Sequence, residues 1–260
     1  MSAPFPFPIT TSVTFAAPRR VQAGIGVTVI VSSYNYERYI LDTLESVSAL
    51  THPNLEVVVV DDCSTDQSAN IVERWLRENV ARFNGAKLIS HDQNYGLDQT
   101  RNTGFEFASN EFVFVLDSDN LLYPTAIAKL LDGCSHAATE AAYSQLEFFD
   151  ETSDIGGAGI WDPDHLAERN YIDAMALIRK SAWHAVGGYS RLVNPGFEDY
   201  DLWCKFVEHG FKGTYIPEIL CRYRIHKKSM FRRMDNQGLE DRYCEMLFRH
   251  PWLKLRWTQN

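Results

Sequence analysis

The sequence predicts an α/β fold in which a mainly parallel sheet carries helices on both faces. Two observations predict it. Short apolar or β-branched runs alternate with segments whose apolar residues recur at helical spacing, which is typical of βαβ units with right-handed crossovers. The composition agrees, because 45% of the 260 residues are hydrophobic and 13% are aromatic, enough to bury a large core.

The first half of the chain gives the clearest pattern of strands and helices. Strands are indicated by β-branched or buried-type runs, and helices by apolar residues on one face. The predicted strands cover residues 27–31, 55–60, 87–90 and 112–116. Between them, one helix has its apolar face within residues 40–47, a second buries apolar residues within 71–76 after a capping box at Ser64 and Gln67, and a third covers residues 96–108.

The pattern is less regular after Asp119. Residues 142–149 are typical of a strand, and residues 199–209 are typical of a helix. Residues 151–170 contain three glycines and a proline, which predicts a mobile loop. We therefore expect an extended tail over residues 1–25, one domain over residues 26–230 and a helical extension over residues 231–260.

Charge and cysteine content argue against several classes of protein. A net charge of −9 argues against nonspecific nucleic-acid binding, which normally uses a basic face. Five widely spaced cysteines without a C-x-x-C pair argue against structural zinc and favour free thiols. No apolar run reaches the ~18 residues of a membrane span, and the N-terminus lacks signal-peptide features. We expect a cytoplasmic protein, with peripheral membrane association left open.

Polar residues follow three of the predicted strands at the point where each strand ends. They are Ser33, Tyr34 and Asn35, then Asp61 and Asp62, then Asp117 and Asp119. Ordinary turn chemistry would explain any one of these groups alone. Because ligands bind outside the carboxyl ends of strands in open α/β sheets, three such endings together predict a binding crevice.

The pair Asp117 and Asp119 carries the most specific chemistry. Two carboxylates separated by one residue repel each other unless a cation lies beside them. Hard oxygen ligands suit Mg²⁺ or Mn²⁺, and such ions commonly share their coordination with substrate phosphates. This strand end therefore predicts a metal-bridged phosphate ester. Arg101, early in the third helix, is either a solvated arginine or a nucleotide contact.

These motifs, taken in order, resemble those of the family 2 glycosyltransferases with the GT-A fold. The segments that carry the resemblance are residues 28–35, 58–66, 116–119, 187–189, 196–203 and 223–229. Together they extend over roughly residues 26–230. The resemblance implies the GT-A fold, a Rossmann-like, mainly parallel sheet with helices on both faces.

The resemblance also implies an activity and a set of residue roles. The activity is inverting, metal-assisted transfer of a sugar from a nucleotide-diphosphate donor, most often UDP-linked, to a glycan, lipid-linked or other acceptor hydroxyl. The cofactor would be Mn²⁺ or Mg²⁺. The implied roles are nucleotide binding by Ser33, Tyr34, Asp62, Arg101 and Asp117, metal binding by Asp119 and His226, and general base catalysis by Asp199 with Glu198 beside it.

The late motif residues have simpler explanations as well. Acidic residues such as Glu198 and Asp199 are common in the first turn of a helix. The helix dipole would favour the ionised form of Asp199, whereas Glu198 would raise its pKa, and the sequence leaves that balance open. His226 lies among arginines and lysines, so it is either part of a solvated basic segment or part of a lid over the pyrophosphate.

Two residues depart from the family pattern. Cys63 replaces a common glycine, which is unfavourable if that turn needs a positive φ. Asn120 stands where many relatives carry a third acidic residue.

Two other functions remain as alternatives. One is a binding module of the same fold without catalysis. The other is a sugar nucleotidyltransferase, which is less favoured because residues 32–36 contain no glycine and no lysine. A dehydrogenase is excluded, because no G-x-G-x-x-G follows the first strand.

Overall fold

The computed structural model describes residues 9–20, 22–226 and 236–256, without the side chains of residues 236 and 237. Within these ranges the strands are β1 (Thr11–Ala16), β2 (Val27–Ser33), β3 (Leu55–Asp61), β4 (Gly85–His91), β5 (Phe112–Asp117), β6 (Leu121–Leu122), β7 (Ala141–Asp150), β8 (Asp154–Ile155), β9 (Ala176–Arg179) and β10 (Gly213–Ile225). The helices are α1 (Ile40–Ser48), α2 (Ser68–Asn79), α3 (Leu97–Phe107), α4 (Ala126–Ala137), α5 (Pro163–Glu168), α6 (Lys180–Ala185), α7 (Glu198–Glu208) and α8 (Asn236–Arg249).

The described strands form one sheet in the order β1-β4-β3-β2-β5-β9-β7-β10-β6, with β8 paired to β7. Strands β4, β3, β2 and β5 are parallel, as are β7 and β10. Strand β9 is antiparallel to both β5 and β7. Since the chain leaves β2 toward β3 and returns on its other side as β5, the strand order reverses there, and ligands bind at such switch points.

Helices cover both faces of this sheet, as predicted. Alternate residues of β2 enter two separate cores: Val29 packs with α1 and α2, and Ile30 packs with α3 and α7. Gly104 lets α3 approach closely, because a β-carbon there would lie only 3.0 Å from the Ile30 β-carbon. Among the helices of the described ranges, none combines the length and apolarity that a bilayer crossing requires.

Part of the predicted N-terminal tail belongs to the sheet. Strand β1 pairs antiparallel with β4, so Thr11–Ala16 is a paired edge strand and not a free tail. Four of its six residues are exposed, Val13 among them, which is why the sequence carried no signal of burial. Residues 1–8 and 21 lie outside the described ranges.

Residues 151–170 also contain more structure than the predicted loop. Pro163 begins α5, and the Asp162 side chain caps that helix by accepting a hydrogen bond from the Asp164 amide. Strand β8 pairs with β7 in the same segment.

The C-terminal segment is helical over Asn236–Arg249 and is fixed to α7. The imidazole of His250 lies 3.1 Å from Asp201 Oδ1 and 2.7 Å from Glu208 Oε1. Met246 and Leu253 are buried in the same core as α7. The division at residue 230 stays a prediction, because residues 227–235 lie outside the described ranges.

We predict a pH-dependent contribution of His250 to stability. Burial opposes its protonation, but hydrogen bonds to Asp201 and Glu208 raise its pKa above the ordinary value of 6.5. A raised folded-state pKa means that this stabilisation is complete below pH 6.5 and is lost as the pH rises through that pKa.

The measurement is urea unfolding of the wild type and of His250→Gln across this pH range. The wild type should exceed His250→Gln in free energy of unfolding by about 1–3 kcal/mol below pH 6.5, and by less above the raised pKa of His250. A difference that grows with pH would contradict the prediction.

Candidate active site

The carboxyl ends of β2, β3 and β5 meet at one edge of the sheet. In register, Ser33 stands opposite Asp61, and Ser32 stands opposite Asp117. The convergence of these three strand endings, which the sequence predicted, is therefore present in the fold.

Arg101 lies next to Asp117 at this edge. Its Nη2 atom donates to both carboxylate oxygens of Asp117, at 3.0 and 3.1 Å, and its guanidinium lies over the ring of Tyr189. Only 4% of the Arg101 side chain is exposed, so it is not a solvated helix arginine. Burial alone would lower the pKa of Arg101, but Asp117 and its neighbours raise it.

Asp119 and His226 meet although they are 107 positions apart in the chain. The His226 Nε2 atom lies 2.9 Å from Asp119 Oδ2. Arg224 holds the two segments together, because its Nε donates to the Asp119 carbonyl and its amide donates to the Asn120 side chain, both at 2.9 Å. Burial, followed by repulsion from Asp117, raises the pKa of Asp119 to about 6, while His226 acts in the opposite direction.

A carboxylate oxygen and an imidazole nitrogen at this spacing could hold one divalent cation. Among the described residues no group of three histidine, cysteine, aspartate or glutamate side chains forms a ready-made metal cage. The donor set of Asp119 and His226 therefore fits an ion that takes its remaining ligands from water and substrate oxygens.

Asp62 is fully buried beneath the loop that enters α3. Its Oδ1 atom accepts from the Tyr95 amide at 2.8 Å and lies 2.7 Å from His91 Nδ1, and its Oδ2 accepts from the Gly96 amide at 2.8 Å. His91 in turn contacts Thr103 at 2.9 Å. These contacts fix the carboxylate and leave acceptor capacity at Oδ2. The role of Asp62 in nucleotide binding stays a prediction.

The last residue of β2 and the loop after it contain the other predicted nucleotide contacts. Ser33 is buried, and its hydroxyl has no hydrogen-bond partner among the described residues. The ring of Tyr34 is exposed. Asn35 adopts a φ of 58° and ties this loop to the next by accepting from the Thr65 amide at 2.8 Å.

Glu198 and Asp199 begin α7 as expected, but they have different surroundings. Both oxygens of Glu198 accept from the Gly196 amide at 3.0 Å, so this buried side chain holds the turn before the helix. Asp199 is half-buried and accepts from the Tyr200 amide at 2.8 Å and from Asn170 Nδ2 at 3.1 Å. Burial raises the pKa of Asp199 to about 6 with a smaller contribution from Glu198, and Arg101 opposes the rise.

The structure adds Asp173, which sequence reasoning missed. Burial and the charge of Asp199 raise the pKa of Asp173 to about 7. Asp173 precedes β9, and because β9 is antiparallel to β5, its first end lies where β5 finishes. No motif marks this residue, so only the direction of β9 could have revealed it.

Comparison with known proteins decides the family. The sequence profile described as glycosyl transferase family 2 matches residues 28–190, more than half of the chain. The chain belongs to glycosyl transferase family 2.

Two Bacillus subtilis proteins illustrate this membership. TuaG, to which a glycosyltransferase role in teichuronic acid biosynthesis is attributed, is 34% identical over 212 residues, covering 78% of this chain and 81% of TuaG. EpsE, to which glycosyltransferase activity is attributed, is 27% identical over 239 residues, covering 87% of this chain and 84% of EpsE.

Solved structures confirm the GT-A fold of this family 2 chain. TarS of S. aureus, in a crystal structure of its residues 1–349 with UDP-GlcNAc, superposes with a TM-score of 0.67 at 20% identity, covering 86% of this chain and 67% of that one. The mannosyltransferase PcManGT of Pyrobaculum calidifontis, in complex with GDP-Man and Mn²⁺, gives 0.65 at 20% identity, covering 94% and 66%.

The departure at Cys63 yields a prediction, because the turn does need a positive φ. The φ of Cys63 is 62°, in the left-handed region where a β-carbon costs roughly 1–2 kcal/mol. Cys63→Gly should therefore raise the free energy of unfolding by roughly 0.5–1 kcal/mol, part of the gain being offset by the greater freedom of glycine in the unfolded chain. Chemical denaturation measures the change.

The matched control is Cys244→Gly on α8, where the same replacement removes an exposed helical side chain. It should lower the free energy of unfolding by roughly 0.5–1 kcal/mol. Equal losses in the two variants would show that the turn at Cys63 is not strained.

Proposed function

We propose that this protein is a metal-dependent, inverting glycosyltransferase that moves a sugar from a nucleotide-diphosphate donor to an acceptor hydroxyl. The observation that carries the proposal is the contact of 2.9 Å between Asp119 and His226. It joins the end of β5 to the end of β10 beside the pair of buried Arg101 and partly exposed Asp117. A carboxylate, an imidazole and a guanidinium at one sheet edge suit a diphosphate with its cation.

Buried polar atoms without partners support nucleotide binding at this edge. Within the described part of the chain, Ser33 Oγ, Arg101 Nε and the Tyr189 hydroxyl have no hydrogen-bond partner. Such atoms destabilise a folded protein unless water or a ligand satisfies them. We infer that the donor occupies this region, with the exposed ring of Tyr34 available to stack on the base and Asp62 Oδ2 to accept a hydrogen bond from it.

The class of donor is supported by the structural neighbours. TarS has been crystallised with UDP-GlcNAc and with UDP, and PcManGT with GDP-Man and Mn²⁺. We propose a UDP-linked sugar for this chain. Asp119 and His226 would hold Mn²⁺ or Mg²⁺, and the ion would neutralise charge on the departing diphosphate.

Asp199 has the properties of a general base. Its pKa of about 6 leaves it ionised at neutral pH, yet it is a stronger base than an ordinary aspartate. Positioned on the far side of the donor sugar, it would take the proton of the attacking hydroxyl and so lead to inversion. Glu198, held by the Gly196 amide, would position the start of α7.

The acceptor is proposed from the relatives. TuaG is attributed to teichuronic acid biosynthesis, which favours a growing glycan or a lipid-linked sugar as acceptor. We expect residues 142–171 and the C-terminal extension over residues 231–260 to recognise it. All five cysteines are free, which is consistent with a cytoplasmic site of action.

Asp199→Asn tests the proposed base. Sugar transfer should fall by ~10²–10⁴-fold, because the amide cannot accept the proton, while donor affinity should stay within about twofold. The measurements are transfer rates and donor titration with Mn²⁺. Asp132→Asn, an exposed aspartate on α4, is the matched control and should retain wild-type transfer.

Loss of donor binding in Asp199→Asn would indicate a structural role for Asp199 and place the base elsewhere. A binding module without catalysis would show donor affinity but no transfer and no slow donor hydrolysis, even in the wild type.

A further inference from the structure

Asn170 contacts the proposed base from outside the family motifs. Its side-chain Nδ2 donates to Asp199 Oδ2 at 3.1 Å. The orientation of the amide group is fixed by its other end, because Asn170 Oδ1 accepts from the Ile172 amide at 3.3 Å. The donor half of the side chain must therefore face the carboxylate.

The segment that carries Asn170 is itself ordered by its own contacts. The Tyr171 hydroxyl donates to the Ile160 carbonyl and accepts from the Asp162 amide, each at 2.8 Å. The Tyr171 ring stacks on His165 with centroids 4.3 Å apart. Asn170 thus joins α5 and its neighbouring residues, which are expected to meet the acceptor, to the start of α7.

We propose that Asn170 is a positioning residue for the general base: its hydrogen bond aims the Asp199 carboxylate and stabilises the ionised form. This inference rests on the proposed function, since it assumes that Asp199 is the base. The segment that carries Asn170 then sets both the direction and the strength of that base.

Because of the charges around Asp199, the hydrogen bond from the uncharged Asn170 amide affects how readily Asp199 ionises. Arg101 is already engaged by Asp117, and the Tyr200 amide is part of α7 itself. Burial raises the pKa of Asp199, and the Asn170 hydrogen bond is among the contacts that lower it. The titratable groups that interact electrostatically with Asp199 are Glu198 and Cys204 on α7 itself, and Arg101, Asp173, Tyr189 and Tyr223 outside that helix.

The test is the pH profile of acceptor kcat/KM for the wild type, Asn170→Ala and Asn170→Asp. The rate rises with pH as the base ionises. Loss of the Asn170 hydrogen bond should therefore move the low-pH limb of the kcat/KM profile to higher pH by roughly one unit. Asn170→Asp adds a like charge and should move it further. Well above the limb, Asn170→Ala should recover transfer to within about tenfold of the wild type.

Asn70→Ala is the matched control, because it is the same substitution at an exposed position on α2. Its acid limb should coincide with that of the wild type. Profiles measured at two Mn²⁺ concentrations show whether the limb reports the base or the metal ligands. A limb that shifts with the Mn²⁺ concentration but not on substitution of Asn170 overturns the proposal. A uniform loss of rate with an unmoved limb, the sign of a merely structural residue, also overturns it.

Asp199→Asn, measured in parallel, separates this inference from the proposed function. If that variant loses transfer while the limb of Asn170→Ala stays in place, only the role of Asn170 is wrong. If Asp199→Asn retains transfer, the assignment of the base fails, and the role of Asn170 fails with it.

Discussion

Arg101 brings a positive charge into a part of the molecule that is otherwise acidic. It binds both oxygens of Asp117, and the nearby Asp173 and Asp199 have raised pKa values of about 7 and about 6. Partly buried carboxylates this close repel each other, and a cation beside them lowers that repulsion. The position of Arg101 depends in turn on Gly104, which lets α3 lie against Ile30 and so reach the end of β5. The charge balance around Asp117, Asp173 and Asp199 therefore depends on this close approach of α3 to β2.

Around Arg101, three parts of the chain would supply the groups for nucleotide binding, for the cation with its diphosphate, and for the general base. The ends of β2, β3 and β5 supply the nucleotide side, with unsatisfied buried atoms such as Ser33 Oγ. Arg224 connects β10 to the turn after β5 and brings His226 to Asp119, which is the proposed position of the cation and diphosphate. The start of α7 would supply Asp199 on the proposed acceptor side. In this proposal the early motifs would bind the donor, and the late motifs would complete the site around it.

The sequence predicted those parts of the fold whose signals are local. Buried parallel strands are apolar throughout, so β2, β3 and β5 and their polar ends were evident, and the family motifs led to His226. Strand β1 was missed because most of its residues are exposed and carry no alternating pattern of burial. Asp173 was missed because its place depends on the antiparallel direction of β9, and Asn170 because its contact is formed only by the tertiary fold. Such contacts have no signature in residue spacing.

The most direct test of the account is a thermal-shift measurement with UDP, GDP, CDP and dTDP, each with and without Mn²⁺, on the wild type and Asp119→Ala. Asp132→Ala on the exposed face of α4 is the control. A ligand at 100 times its Kd adds about 2.7 kcal/mol of stability, which such a measurement detects. The account predicts that UDP with Mn²⁺ stabilises the wild type and the control, and that Asp119→Ala loses the dependence on Mn²⁺. No stabilisation of the folded wild type by any nucleotide, or an unchanged dependence on Mn²⁺ in Asp119→Ala, would contradict it.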